Sequence, residues 1–186
     1  LYVGVMTVIN SIREVACMPV QGISNAAEPV LGYNYGAGKP QRVRQGIVFI
    51  SLWAVGYSVL MWLLIRLAPT WLIRIFNSDP ALIAAGIPAL HLYFSAFFMM
   101  ALQFAGQSTF VALGKSKQAI FFSVFRKVII VLPLTLWLPH VGGLGVSGVF
   151  WAEVISNIVG GLGCFLTMLL TVYLPLGRQE HGNVNI

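Results

Sequence analysis

"EPVLGYNYGAGKPQRVRQ", Glu28 to Gln45, closes an apolar segment with a glycine-rich turn and three basic residues. Its Gly, Lys and Arg content suggests a phosphate loop, but the spacing excludes one. A P-loop needs G-x-x-x-x-G-K-[ST], whose final hydroxyl holds magnesium. Gly32 to Gly38 is one residue too long, and Pro40 stands where the hydroxyl would be. The stretch instead marks a break between two long apolar runs, and that reading decides the fold class.

Composition says what kind of runs these are. The 186 residues are 58% hydrophobic and 9% charged, against about 25% charged for a soluble domain. Mean hydropathy is +0.86. No soluble core of this size encloses so much apolar surface, so the chain reads as a membrane protein. Its formal charge of +6 then reflects loop residues that set orientation, not a nucleic-acid surface. Cys17 and Cys164 lie inside apolar runs and read as small buried hydrophobes, with no zinc-type Cys/His spacing. The chain opens at Leu1 directly in apolar sequence, without a basic n-region or small-residue cleavage site. It is therefore no signal peptide, and the expectation is a segment of a longer protein.

A helix crossing the hydrocarbon core needs roughly 20 apolar residues. Five runs qualify, at about 2–33, 43–75, 83–113, 119–138 and 146–174. The fold class is thus all-α, a polytopic bundle of about five spanning helices over 1–176. A polar tail at 177–186 follows, expected to be mobile and cytoplasmic. Breaker-rich links ("GAGKPQ", "FNSDP", "GKSK", "PHVGGLG") separate the runs and make consecutive helices antiparallel. Lys39, Arg42, Arg44, Lys115, Lys117 and Arg178 fall on one side of that alternation, Arg66 and Arg74 on the other. The positive-inside rule makes the first five topology anchors and puts the C-terminus in the cytoplasm.

Polar groups at membrane depth mark function by default. In the first run Glu14, Gln21, Asn25 and Glu28 recur at helical spacing, so they share a face that looks at other helices or a wet cavity. Pro19 interrupts the hydrogen-bond ladder within that stripe, and Arg13 with Glu14 equally suits the membrane surface. The fourth run carries Arg126 and Lys127 at a depth like that of Glu28. A carboxylate opposite a cation is the cheapest way to hold both there, and snorkelling is the plainer reading for Lys127. Gln103 and Gln107, four apart in the third run, suit helix packing. In the fifth, Glu153, Ser156, Asn157, Gly160, Gly161 and Cys164 form a small polar face. Close packing accounts for the glycines; Glu153 needs a cation, a proton or water. His91, His140 and His181 lack metal-ligand partners, and no catalytic Ser/His/Asp set is present, so an enzyme is not expected.

At "MPVQGISNAAEPVLGYNYGAGKPQRVR" the chain resembles the multidrug and toxic compound extrusion (MATE) family, through Pro19, Gly22, Pro29, Gly32, Asn34, Gly36, Ala37, Lys39 and Arg42. A second stretch, "ALGKSKQAIFFSVFRKVIIVLPLTLWLPHVGGLGVSGVFWAE", is similar to the family's last helical pair, with Arg126, Pro133, Pro139, Gly145 and Gly148 in familiar places. The resemblance implies most of the C-terminal lobe of a two-lobe, pseudo-symmetric transporter. It implies a bacterial inner-membrane multidrug efflux protein that exports cationic amphipathic drugs against protons or sodium, with no further cofactor. Its partners would be those drugs, membrane lipid and an N-terminal lobe, and no nucleic acid. At Glu28 the chain departs from the family's more usual glutamine, so the candidacy of Glu28 rests on depth alone. The expected substrate- and cation-binding set is Glu28 and Glu153 as charge sites, with Gln21, Asn25, Gln103, Gln107, Asn157 and Arg126 lining the cavity. A flippase for lipid-linked sugars would instead want a cationic cavity, which Arg13, Arg126 and Lys127 could supply. In a non-transporting scaffold subunit the polar stripes would only join helices.

Overall fold

Proline sets most of the helix starts. The computed structural model describes residues 2–140, 145 and 147–182, with side chains as far as Arg178. Helix α1 runs Tyr2–Gly36, α2 Pro40–Leu67, α3 Pro69–Phe76 and α4 Pro80–Tyr93. In α2, α3 and α4 the proline stands in the first turn, where its missing N–H costs nothing. Asp79 caps α4 by accepting from the Ala81 N–H at 2.9 Å. A 3₁₀ stretch, Phe94–Ala96, bends the chain into α5, Phe97–Ala112. Then come α6 Ser116–Val124, a π segment Phe125–Val131 and α7 Leu132–Trp137. Last are α8 Ser147–Met168, a π segment Leu169–Tyr173 and α9 Leu174–Gly182. Five stretches are long and apolar enough to cross a membrane: Tyr2–Gly36, Pro40–Leu67, Pro80–Ala112, Ser116–His140 and Ser147–Arg178.

Three features depart from the expected runs. The run 43–75 is two helices, because Pro69 forces the preceding Ala68 out of the helical region, to φ −134° and ψ 49°. The fourth and fifth runs carry π turns, each just before a proline. Pro133 and Pro175 have no N–H for the carbonyls of Ile129 and Thr171 four residues back, and a widened turn relieves the ring's clash there. Lys115 fills one vacancy, its Nζ donating to the Thr171 carbonyl at 3.0 Å. Lys115 thus ties the start of α6 to the fifth span. By contrast, α1 stays helical through Pro19 and Pro29, so Pro19 breaks no element. Helix α9 carries residues 177–182 of the expected tail; residues 183–186 and the link positions 141–144 and 146 lie outside the described residues.

Both basic links are tight helix stops. Gly38 at φ 65° and Gly114 at φ 72° take the left-handed conformation that ends α1 and α5. The next residue then donates back to a helical carbonyl, Lys39 to Asn34 at 2.9 Å and Lys115 to Phe110 at 2.8 Å. Helix α5 is central, packed on α1, α2 and α8. Two apolar clusters fill the interior, one around Ile9, Leu90, Phe94 and Phe150, the other around Leu31, Ile47, Phe110 and Met168. Leu52, Leu60, Leu67, Leu136 and Leu170 point outward, as a lipid-facing surface requires. Glycine sets the closest approaches. A Cβ on Gly32 would stand 2.9 Å from the Ala112 carbonyl oxygen, and one on Gly161 would overlap that of Met99.

Candidate functional site: a sealed ion cluster and an open acidic cleft

The polar residues separate into two places. In the first, the π turn at Phe125–Val131 aims Arg126 inward between α5 and α8. Its Nη1 donates to Gln103 Oε1 at 2.9 Å and its Nε to Ser156 Oγ at 3.3 Å. The Nη2 group donates to Asn157 Oδ1, meets Met100 Sδ at 3.7 Å and pairs with Glu153 Oε2 at 3.5 Å. The side chains of Arg126 and Glu153 are only 9% and 14% exposed. Lys127, 58% exposed, reaches the other oxygen of Glu153 at 3.8 Å. Two consecutive cations serve one acid because the π turn leaves successive residues fewer degrees apart. Each of the three guanidinium nitrogens has an acceptor, which is how a buried charge is tolerated.

The second place is a cleft of about 400 Å³ between α1, α5 and α6. Ser24, Asn25 and Glu28 line it from α1, Phe104, Gln107 and Val111 from α5, and Ile120, Ser123 and Val124 from α6. Gln107 Nε2 donates to Ser123 Oγ at 2.7 Å and so fixes the α5–α6 wall. Glu28 is the one acid of the lining, half-buried, and no Lys or Arg accompanies it. Among the described residues it has no ion-pair partner. Ser24 Oγ is buried and likewise lacks a hydrogen-bond partner there. An acid amid amides, hydroxyls and apolar side chains makes a surface for a cation with an apolar body.

This arrangement corrects part of the expected set. Glu28 does not face Arg126: the cation's carboxylate is Glu153, contributed by α8. Glu153 is therefore not a free charge site, since Arg126 and Lys127 already neutralise it. Gln103, Asn157 and Arg126 belong to the sealed cluster, not to a cavity wall. Gln21 is exposed on α1, outside the cleft lining. Asn25, Gln107 and Glu28 do come together, joined by Ser123 of the fourth run and by Ser24, whose small hydroxyl left it unmarked in the sequence. Arg13 pairs with its neighbour Glu14 at 3.8 Å, on side chains 27% and 69% exposed.

Residues 1–137 match the MatE family model. The probable multidrug resistance protein NorM of Caulobacter vibrioides is 25% identical over 159 residues, 84% of this chain and 33% of that protein. The FAD transporter of Shewanella oneidensis is 21% identical over 154 residues, 83% of this chain and 34% of its own length. The solved structure of the MATE multidrug transporter DinF-BH, a ligand complex, is 35% identical and superimposes with a TM-score of 0.77. That match covers 92% of this chain and 37% of the other. The chain therefore spans about a third of the length of the relatives it matches. The sequence match and the five apolar spans agree: this chain belongs to the MatE family, whose members are multi-pass membrane transporters.

Proposed function

We propose that the chain forms part of a multidrug exporter that binds cationic amphipathic compounds and exchanges them for protons or sodium. The observation that carries this reading is the cleft at α1, α5 and α6, with Glu28 as its one acid and apolar groups around it. A volume of about 400 Å³ suits a drug-sized ligand. An organic cation gains Coulomb attraction from Glu28 and apolar contact from Phe104, Ile120 and Val124. A proton or a sodium ion at the same carboxylate removes that attraction. Exchange follows because each ligand shifts the conformational equilibrium by its differential affinity for the two states. Rocking against an N-terminal lobe would expose the cleft alternately to the two sides. The cycle is placed in a bacterial inner membrane, with the basic rim of Lys39, Arg42, Arg44, Lys115 and Lys117 cytoplasmic.

Similarity to an FAD transporter supports a second reading, an anionic dinucleotide as cargo. Such a cargo wants cations, as would the pyrophosphate of a lipid-linked sugar, and the cleft lining offers none. The two readings separate in one experiment on the full-length protein, with the aromatic cation ethidium as the probe. Cells expressing Glu28→Gln should retain the protein in the membrane but lose ethidium export, while Glu28→Asp keeps part of it. Wild-type ethidium export by Glu28→Gln would overturn the proposal. FAD export that survives Glu28→Gln would favour the anionic cargo.

A further inference from the structure

Five hydroxyls are buried among the described residues: Ser24, Ser58, Ser108, Thr109 and Ser156. Four of them have partners. Ser58, Ser108 and Thr109 donate back to carbonyls of their own helices at 2.7, 3.3 and 2.8 Å, and Ser156 accepts from Arg126. Ser24, 2% exposed on the cleft wall, has none. A bond back to the carbonyl one turn earlier is open to any helical serine, and a buried hydroxyl left unpaired costs free energy. Its surroundings share the imbalance. Glu28 stands one helical turn from Ser24 on the same face, without an ion-pair partner among the described residues. Pro29 has no N–H for the Asn25 carbonyl four residues back, so that oxygen lacks its helical donor too. One turn of α1 thus carries a carboxylate, a hydroxyl and a main-chain carbonyl, all short of donors. Gln107 across the cleft does not supply them, because its Nε2 is committed to Ser123 Oγ and the Ala119 carbonyl.

We infer that the cleft selects cations that carry N–H groups, protonated primary and secondary amines, with Ser24 as the specificity-determining residue. The inference rests on the proposed reading of the cleft as the drug site. An ammonium between Glu28 and Ser24 donates one N–H to the carboxylate and another to Ser24 Oγ. A primary amine keeps a third for the Asn25 carbonyl. A quaternary ammonium gains only the Coulomb attraction of Glu28, and it shuts the hydroxyl and the carbonyl away from water without a donor. Discrimination then comes from buried polar groups left unpaired by the wrong ligand.

Displacement of ethidium from the purified full-length protein, followed by its fluorescence, tests this with phenylbutylammonium and its N-trimethyl analogue, which share a charge and an apolar body. The wild type should bind the primary ammonium more tightly. Ser24→Ala should lower that preference about fivefold, the factor that ~1 kcal/mol for one hydrogen bond gives. Ser58→Ala, whose hydroxyl lies outside the cleft lining, should leave the ratio near its wild-type value. If Ser24→Ala does not yield a monodisperse helical protein, Ser24→Cys, whose thiol is a weak acceptor, must lower the preference instead. Equal or tighter binding of the trimethyl compound by the wild type overturns the inference and leaves the drug site standing. So does a ratio that Ser24→Ala, or Ser24→Cys in its place, leaves unchanged. Failure of both compounds to displace ethidium would overturn the reading of the cleft as the drug site, and the inference with it.

Discussion

Replacing Arg126 by methionine keeps the side chain's length and removes its charge and donors. Three neutral oxygens, from Gln103, Ser156 and Asn157, lose their donor, and Glu153 loses its nearer cation. Interhelical hydrogen bonds inside membranes average about 0.6 kcal/mol each, so three of them give about 2 kcal/mol. Stranding a buried acid adds to this, and breaking a buried pair from one side costs about 3–5 kcal/mol in total where nothing compensates. Lys127 remains within 3.8 Å of Glu153 and compensates in part. The expected destabilisation for Arg126→Met is therefore about 3 kcal/mol. Lys127→Met should cost less than about 1 kcal/mol, because that cation is 58% exposed. Arg126→Lys should fall between them, since an ammonium cannot span acceptors on both α5 and α8. Titrating the full-length protein in mixed micelles with sodium dodecyl sulfate, followed by circular dichroism, reads these differences. Equal losses for Arg126→Met and Lys127→Met would refute the assignment of Arg126 as the cluster's centre.

Further consequences follow from the same contacts. Gly161→Ala places a methyl against the rigid Met99 carbonyl and should cost about 1–3 kcal/mol, whereas Gly163→Ala, whose Cβ meets Phe122 at 3.7 Å, should be nearly neutral in the same titration. Lys115→Met leaves the Thr171 carbonyl without its donor and should cost about 1–2 kcal/mol; Lys117→Met, which removes a neighbouring rim charge, should not. The double change Arg126→Glu with Glu153→Arg should recover part of the stability lost by either change alone, because both amides can present their NH₂ groups to the new carboxylate.

The five spans were legible because apolar runs and their breakers are properties of local sequence. The divisions within them were less so. Pro69 splits a run through its effect on Ala68, yet Pro19 and Pro29 leave α1 unbroken, and composition alone does not distinguish these cases. Polar residues at membrane depth were also legible as unusual, and Arg126, Glu153, Gln103 and Asn157 all proved to be engaged. Their partners were not legible. Glu28 and Glu153 are both acids inside spans, and spacing along one helix cannot say which of them meets an arginine on another. The answer depends on α5 and α8 packing closely enough, through Gly161, to enclose the guanidinium, and on a π turn that points it there. Glu28 was left for the cleft by that packing, together with Ser24 and Ser123.

The central claim is that Glu28 stands in a wet cleft while the Arg126 cluster is dry. With Cys17 and Cys164 replaced by alanine, single cysteines at Glu28, Asn25, Gln103 and Asn157 of the full-length protein would be treated with a membrane-impermeant thiol reagent, with and without ethidium. Positions 28 and 25 should react, and ethidium should protect them, while positions 103 and 157 stay unreactive. Silence at position 28 in both conditions, or labelling there that ethidium leaves unchanged, would contradict the claim.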